Sequence, residues 1–472
     1  MRLLAITLVM AAVAGLPAVA HGAGGFDTGL TDPLDGAFGE KDPPGAYDAA
    51  RDAGVRFVRV NVQWHLVAAN RPANPTSPDD PAYGWSWLDE RVTGLKSRGI
   101  EPVLSLYSPP GWARSTKSDG TTRATPKVDD LRNFATAVAR RYGGSTPGVP
   151  RVRYWQVWNE PNLRTYLDQS DSVAQYRAMV TASYAAIHGV HDDNRVVAGG
   201  LAPYAAYDGD HAPLRFMREL LCMSAGSKPR PTCGASVPFD VWSVHPYTSG
   251  GPNRSARARD DVSLGDLPEV RRLLRAAERA GHVKPKGSLD FWVTEFSWDT
   301  KGPDPWGVPL ALHARWVAEA FYNMWRNGVS MVVWFQLRDN PQGTFTWGQT
   351  FQSGLFFRTA DRYADERAKP VREVVRFPFV ALPAGRGAAV WGRVPTGSKG
   401  TVVVERRAGK RWVRVAKLGA NGHGIFRRTL RVAARSVLRA RYGSEASVPF
   451  KVERTRDRDV NPFGGPPGNR LS

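Results

Sequence analysis

The 472-residue chain is poor in the residues and motifs on which several protein classes depend. It has two cysteines, Cys222 and Cys233, which are too few for a disulfide scaffold or a cysteine-based zinc site. Its nine histidines form no H-E-x-x-H pair, and no G-x-G-x-x-G, G-x-x-x-x-G-K-S/T or G-x-S-x-G segment occurs. The sequence therefore argues against dinucleotide-binding proteins, P-loop proteins, zinc peptidases with that motif and serine hydrolases with a nucleophile elbow.

Acidic residues are also scarce, and the imbalance is concentrated near the C-terminus. Lys and Arg number 64 against 44 Asp and Glu, which gives a formal charge of +20. Residues 381–472 hold 20 of these bases and 5 of the acids, which leaves 44 bases and 39 acids for the rest. Two interpretations stay open: a solvated surface, or attraction to an anionic polymer of the cell envelope. No basic helix or aromatic RNA-binding signature accompanies the charge, so we expect no nucleic-acid partner.

A long hydrophobic run occurs only in residues 1–20, MRLLAITLVMAAVAGLPAVA. One Arg, the apolar run, Pro17 and the closing A-x-A are typical of a cleavable signal peptide, whereas an uncleaved membrane anchor is the competing interpretation. We expect a secreted protein that begins near His21 and has no transmembrane span in its mature chain. In an exported chain, Cys222 and Cys233, eleven residues apart across a Pro-rich loop, are expected to form a structural disulfide.

Short apolar runs alternate with helical segments through residues 21–380. The runs cover residues 26–30, 56–62, 101–107, 152–158, 195–200, 239–247, 289–296 and 331–337. The helical segments cover residues 43–53, 85–98, 127–142, 171–190, 213–224, 266–281, 309–327 and 362–376. Eight strand–helix units without a consistent polar strand face predict an α/β fold, the closed (β/α)8 or TIM barrel.

The pattern changes after the barrel segment. Residues 381–452 contain short alternating segments joined by turns, which predict a small antiparallel β-sandwich as an accessory domain. Residues 453–472 are charged and rich in Pro and Gly, so we expect a disordered tail.

Two glutamates stand at the ends of predicted barrel strands. Glu160 lies in W-N-E-P-N at the end of the fourth strand, and Glu295 lies in W-V-T-E-F at the end of the seventh. A TIM barrel places its active site at these carboxyl ends. A lone N-E-P could belong to a surface or capping glutamate, but a second acid in an apolar strand is harder to explain in that way. We therefore predict that both carboxylates face one site.

Side-chain alternation predicts which residues accompany them, because residues two apart on a strand point the same way. Arg59, His245, Tyr247 and Trp334 lie on the strand faces that we expect to point inward. An arginine inside a strand needs a buried anion, and Glu295 is the expected partner of Arg59.

Paired carboxylates across an open barrel mouth suit glycoside hydrolysis, in which one acid protonates the leaving oxygen and the other attacks the anomeric carbon or activates water. Glu160, in the more tryptophan-rich setting, is expected to have a raised pKa and act as the acid. The chain has sixteen tryptophans, and Trp64, Trp112, Trp298, Trp306, Trp334 and Trp347 near strand ends could stack on sugar rings. Each of them alone is more often core packing.

These motifs, in this order, resemble clan A of the glycoside hydrolases, and the string W-N-E-P-N-L at 158–163 resembles family 39, with family 5 close behind. The resemblance covers about residues 27–378. It implies Glu160 as acid/base and Glu295 as nucleophile. It also implies substrate-binding or supporting roles for Asn159, Arg59, His245, Tyr247 and Trp334.

The sequence thus predicts a secreted retaining O-glycosidase that acts on a poly- or oligosaccharide without cofactor or metal. The alternative is a non-catalytic polysaccharide- or envelope-binding protein that keeps the barrel and its cleft. In a third interpretation the basic C-terminal domain adheres to an anionic cell-envelope polymer while the barrel is an enzyme.

Overall fold

The computed structural model describes residues 22–32, 41–116, 122–285, 287, 289–341, 346 and 350–467. The expected signal peptide at 1–20, Trp347 and residues 468–472 lie outside the described residues, so those predictions are not addressed by the structure.

Eight parallel strands close into a barrel, as the alternation of apolar runs predicts. Their bounds are β1 Asp27–Thr31, β2 Phe57–Gln63, β3 Glu101–Tyr107, β4 Tyr154–Val157, β5 Arg195–Leu201, β6 Val241–Val244, β7 Asp290–Phe296 and β8 Val329–Trp334. Each strand pairs with its sequence neighbours, and β1 pairs with β8 to close the ring. The TIM-barrel prediction is confirmed.

Helices cover the outside of the barrel between the strands. They are α1 Pro43–Asp52, α2 Trp64–Val67, α3 Ser86–Lys96, α4 Val128–Arg141, α5 Ser172–His188, α6 Pro213–Leu220, α7 Leu267–Ala280, α8 Leu310–Arg326 and α9 Pro370–Arg376. Helix α9 is shorter than expected because Pro370, which lacks an N–H, stands in its first turn and favours a helix start there. Single 3₁₀ turns occur at Gly111–Ala113, Leu264–Asp266 and Tyr363–Asp365, and two-stranded ladders at Arg114–Thr116 with Thr122–Pro126 and at Val237–Pro238 with Val283–Lys284.

The barrel interior below the mouth is apolar. A separate buried cluster takes one or two side chains from each of seven strands: Phe57, Val103, Tyr154, Val197, Val241, Trp292, Met331 and Val333. Such inward layers fill a TIM barrel, so polar chemistry is confined to its carboxyl end.

A small antiparallel β-sandwich follows the barrel, as predicted. One sheet holds β9 Phe379–Ala384, β10 Gly387–Arg393 and β13 Ile425–Leu430; the other holds β11 Gly400–Ala408, β12 Arg411–Ala420, β14 Val437–Tyr442, β15 Glu445–Ala446 and β16 Phe450–Lys451. The first strand begins at Phe379, just before the expected boundary at 381. Trp391 of β10 packs on Phe26 and on Tyr322 of α8, which joins the sandwich to the barrel.

Residues 453–467 differ from the expected disordered tail, because they lie against the barrel. The indole of Trp316 donates to the backbone carbonyl of Arg456 at 2.9 Å, and Val460 is buried. Ion pairs hold this segment on the barrel despite its Pro- and Gly-rich composition, since Arg254 of the barrel pairs with Asp457 and Asp459.

Cys222 and Cys233 form the predicted disulfide, with their Cα atoms 5.2 Å apart. Within the described part of the chain, no helix is both long enough and apolar enough to cross a bilayer.

Candidate active site

Glu160 stands on a turn just after β4 that holds the backbone in an uncommon conformation. Trp158 has φ of 72° and Glu160 has φ of 42°, a left-handed region that non-glycine residues rarely adopt. The turn is held from both sides, because the Glu160 amide donates to the Gly200 carbonyl at 3.0 Å and the Trp158 indole donates to the Tyr166 carbonyl at 2.9 Å. These bonds keep the carboxyl group of Glu160 at the barrel mouth.

The neighbouring strand β5 also contains a residue with a left-handed backbone, and this residue is a glycine. Gly200 has φ of 60°, and a Cβ atom there would lie 2.7 Å from the Nε2 atom of Gln156. A side chain at this position would displace Gln156, which itself accepts a hydrogen bond from Arg59.

Glu295 reaches the mouth through an irregularity in β7. Val293 pairs with Val332 but Phe296 pairs with Trp334, so β7 contains one extra residue between the two pairs. Such a bulge reverses the alternation of side chains. Since Trp292 belongs to the interior cluster, simple alternation would turn Glu295 outward. The expected location of Glu295 at the mouth is correct, although simple alternation along β7 does not account for it.

Arg59 connects the residues at the carboxyl ends of β4 and β7. Its side chain is 1% exposed, and its Nη1 donates to Oε2 of Glu295 at 3.1 Å. Its remaining N–H groups donate to Gln156 at 3.1 Å, to Ser105 at 3.4 Å and to Asn159 at 2.6 Å. The predicted pairing of Arg59 with Glu295 is therefore present, and the same guanidinium orients Asn159.

Tyr247 supplies the second contact to Glu295. Its buried hydroxyl donates to Oε1 of Glu295 at 2.8 Å. Burial, together with the Glu295 charge, raises the pKa of Tyr247 well above its ordinary value, so the phenol keeps its proton and acts as a donor. Glu295 thus receives one donor on each oxygen, and its side chain remains 20% exposed.

Glu160 has a different environment. Its Oε1 lies 2.9 Å from Nδ1 of His245, whose Nε2 contacts the hydroxyl of Thr294 at 3.1 Å. Burial lowers the pKa of His245 to about 3, so this imidazole is neutral at ordinary pH. Burial likewise raises the pKa of Glu160 to about 7, with the Arg59 charge opposing that rise. The predicted rise in the pKa of Glu160 agrees with this environment.

The two carboxyl groups face each other closely. One oxygen of Glu160 and one of Glu295 lie within 4.8 Å of each other, and both lie within 4.8 Å of a ring nitrogen of His245. Retaining glycosidases separate their carboxyl groups by about 5 Å, whereas inverting ones leave room for a water between them. The geometry suits direct attack by one carboxylate while the other transfers a proton.

Two groups of described side chains have the spacing of metal ligands: Glu160 with His245 and Glu295, and His191 with Asp192 and Asp193. In the first group Arg59 already pairs with Glu295, which weakens the attraction for a cation. The second group is exposed at the surface and lies apart from the barrel mouth.

The expected sugar-stacking tryptophans are mostly in the core. Trp64 is 0% exposed and stacks on Phe134 of α4, with the ring centres 4.7 Å apart. Trp334 is also 0% exposed and packs on His313 of α8, with the ring centres 5.7 Å apart. The interpretation of both as sugar platforms is wrong. Since Met331 and Val333 belong to the interior cluster, simple alternation along β8 turns Trp334 toward the helices.

Trp112 is partly exposed, but Arg71 covers a face of its ring, with the guanidinium carbon 4.6 Å from the ring centre. Its indole donates to the Ala68 carbonyl at 3.1 Å. The side chain is thus held in place by the loop that follows β2.

Several site residues escaped the sequence interpretation. Gln156 binds Arg59. Burial raises the pKa of Tyr166 and of Tyr204, to about 12 for Tyr204, and the nearby charge of Glu160 adds to both rises. Phe335, which follows β8, is partly exposed and packs on Phe351 at 4.8 Å. Alternation on β4 could have identified Gln156, because it shares the inward face of Tyr154.

The sequence matches no protein-family model and no curated protein. Solved structures do resemble it. A family 39 glycoside hydrolase from Bacteroides cellulosilyticus WH2 superposes with a TM-score of 0.52 at 16% identity, covering 86% of this chain and 79% of that one. A monomeric beta-xylosidase from Caulobacter crescentus CB15 gives a TM-score of 0.51 at 16% identity, covering 88% of this chain and 97% of that one.

The protein has a (β/α)8 barrel fold similar to that of these family 39 and beta-xylosidase structures. In this barrel, Glu160 lies just after the fourth strand and Glu295 lies near the carboxyl end of the seventh, the two positions that the sequence resemblance implies. At 16% identity the likeness establishes the fold, and the chemistry must be argued from the side chains.

Proposed function

We propose that the protein is a retaining O-glycosidase that hydrolyses a poly- or oligosaccharide by double displacement. The observation that carries the proposal is the pair of carboxyl groups with oxygens within 4.8 Å and opposite surroundings. Glu295 faces a cation and a phenol, whereas Glu160 faces a neutral imidazole.

In the first step Glu160 donates its proton to the glycosidic oxygen, and an oxygen of Glu295 attacks the anomeric carbon. The bond to the leaving group breaks and a glycosyl ester of Glu295 forms. The raised pKa of Glu160, about 7, supports this step because the carboxyl group still holds its proton near neutral pH. Arg59 and Tyr247 hold the attacking carboxylate in place.

In the second step Glu160, now a carboxylate, accepts a proton from water. The water oxygen bonds to the anomeric carbon and Glu295 leaves, which restores both groups and retains the configuration. Asn159 is oriented by the bond from Arg59 to its Oδ1, and its amide nitrogen is the group we assign to a substrate hydroxyl.

The test is release of reducing sugar from a broad panel of polysaccharides and oligosaccharides by wild type and by Glu295→Gln. We expect wild type to release sugar and the variant to lose about 10⁴-fold or more, because it removes the nucleophile. Glu90→Gln, an exposed change of the same type on α3, is the matched control and should be fully active.

The stereochemistry of the first-formed product, followed by NMR, distinguishes retention from inversion. An inverted product would contradict the role of Glu295 as nucleophile. If neither wild type nor variant releases sugar from any member of the panel, the result favours the alternative of a non-catalytic polysaccharide-binding protein.

We also propose that the protein is exported and adheres to an anionic envelope polymer through its sandwich. Exposed bases lie on the paired strands β11 and β12 and on β13 of the other sheet: Arg406, Arg407, Arg411, Arg414, Lys417, Arg427 and Arg428. N-terminal sequencing of secreted protein should give a start near His21. Retention on an anionic polysaccharide should weaken with added salt, and salt-insensitive retention would contradict the electrostatic role.

A further inference from the structure

Residues 453–467, here called the C-terminal strap, run from the sandwich to the barrel mouth. The strap is anchored first on α8, where Arg315 donates to Thr455 at 2.8 Å and to the Glu453 carbonyl at 2.6 Å. It is anchored next on the loop after β6, where Arg254 donates to Asp457 at 2.8 Å. In each of these contacts the donor is an arginine side chain of the barrel, so the barrel holds the strap along this path.

The strap then follows the edge of the mouth. The Val460 amide donates to the Ser249 carbonyl at 3.1 Å, and the Gly465 amide donates to the carboxylate of Asp304, in the loop after β7. Between these points, Asn461 accepts hydrogen bonds from the amides of Phe463, at 3.0 Å, and Gly464, at 3.2 Å. These two hydrogen bonds form a turn that contains Phe463.

Phe463 meets the residues that surround both catalytic acids. Its ring centre lies 4.6 Å from that of Tyr247, the residue that donates to Glu295, and 6.1 Å from that of Tyr204. Tyr204 lies on the loop after β5, near Glu160. Phe463 is only half-buried, so part of it remains accessible to solvent.

We propose that Phe463 is a substrate-contacting, specificity-determining residue and that the C-terminal strap forms one wall of the sugar-binding site. The inference rests on the proposed glycosidase function. An aromatic ring offers an apolar face to the C–H groups of a sugar without competing for its hydroxyls. The aromatic surface that the sequence assigns to Trp64 and Trp334 is thus provided in part by the end of the chain.

The test compares Phe463→Ala, Phe463→Tyr and the strap control Arg458→Ala, whose side chain is partly exposed. For the best substrate of wild type, we expect Phe463→Ala to raise KM about tenfold with kcat within about twofold, because it removes an aromatic contact of about that worth. Phe463→Tyr should keep the KM of wild type because an aromatic ring remains, and Arg458→Ala should not change KM. All three variants should keep the wild-type Tm.

A second variant loosens the strap without touching Phe463. Asp457→Asn combined with Asp459→Asn removes the charges that hold Arg254. It should raise KM in the same direction, by a few-fold, because the aromatic wall is held less firmly.

Unchanged KM in Phe463→Ala overturns the inference while leaving the glycosidase intact. A fall in Tm accompanied by loss of kcat in Phe463→Ala also overturns it, because the ring would then act only in packing. Failure of the proposed function itself is recognised separately, since wild type would release no sugar.

Discussion

Glu160 and Glu295 are the same side chain at the same barrel mouth, yet their surroundings are opposite. Glu295 touches a guanidinium and a phenol, which both favour a negative charge. Glu160 touches a neutral histidine and is 13% exposed, a setting that favours the protonated form and raises its pKa to about 7. Burial raises the pKa of Glu160, and Arg59 opposes that rise only through space, whereas the same guanidinium contacts Glu295 directly.

The proposed roles of acid and nucleophile therefore depend on unequal burial of two identical side chains and on the unequal distance of each from one buried cation. The predictions below test that asymmetry.

Among the tests of this asymmetry, the largest expected effect concerns Glu160→Ala. For glycosides with a poor leaving group, kcat/KM should fall about 10³-fold, because no acid protonates the departing oxygen. For activated aryl glycosides, whose leaving group needs little protonation, the first step should remain close to that of wild type. A series of aryl glycosides of graded leaving-group pKa measures this, and an equal loss across the series would remove the acid role from Glu160.

The second prediction concerns stability. The pKa of Glu160 rises from an ordinary 4.5 to about 7 on folding, so its contribution is fully present below pH 4.5 and is lost as the pH rises through 7. The loss amounts to about 3 kcal/mol, a factor above 100 in the unfolding equilibrium. Relative to wild type, Glu160→Gln should therefore gain about 3 kcal/mol in unfolding free energy between about pH 4 and about pH 8.

Denaturant unfolding of both proteins at the two pH values checks this, with Glu90→Gln as a matched control that should not show the gain. A difference between wild type and Glu160→Gln that is constant with pH would contradict the raised pKa.

The third prediction concerns the pH dependence of activity. Since Glu160 must be protonated in the free enzyme, kcat/KM should decline above a pKa of about 7, approaching a tenfold loss for each further pH unit. A pH profile on a substrate with a poor leaving group measures it. A decline that begins near pH 5 would place the acid elsewhere.

The smallest expected effect concerns Tyr247→Phe. It removes one of the two hydrogen bonds to Glu295 and should lower kcat by at most about tenfold, since one bond to a charged group is lost. Because the Tyr247 hydroxyl does not contact Glu160, the decline of kcat/KM at high pH should begin at the same pH as in wild type. The pH profile of the variant tests the separation of the two sites, and a shifted decline would show that they are coupled.

Much of the fold was predictable because its signals are local. All eight barrel strands fall within or close to the apolar runs, and most helices begin and end within a few residues of the expected positions. Arg59 also illustrates this, because a buried arginine in a strand demands a carboxylate and Glu295 is there.

The errors arose where packing between distant segments decides. Trp64 and Trp334 are aromatic residues near strand ends, but whether a ring faces the cleft or a helix depends on the strand face and on what covers it. Residues 453–467 look disordered by composition, yet ion pairs with Arg254 hold them on the barrel. Alternation divides a strand such as β8 into two faces but does not say which of them points inward, and it carries no information on residues 453–467.

The sequence alone determined the (β/α)8 barrel, the sandwich, the pair of carboxylates at strand ends and the cysteine pair, because periodicity and position in a strand are properties of the local chain. The tertiary structure decided the rest: the extra residue in β7 that brings Glu295 to the mouth, the burial that raises the pKa of Glu160, and the placement of Phe463 beside Tyr247. Those features depend on register, desolvation and contacts between residues far apart in sequence, which only the folded chain brings together.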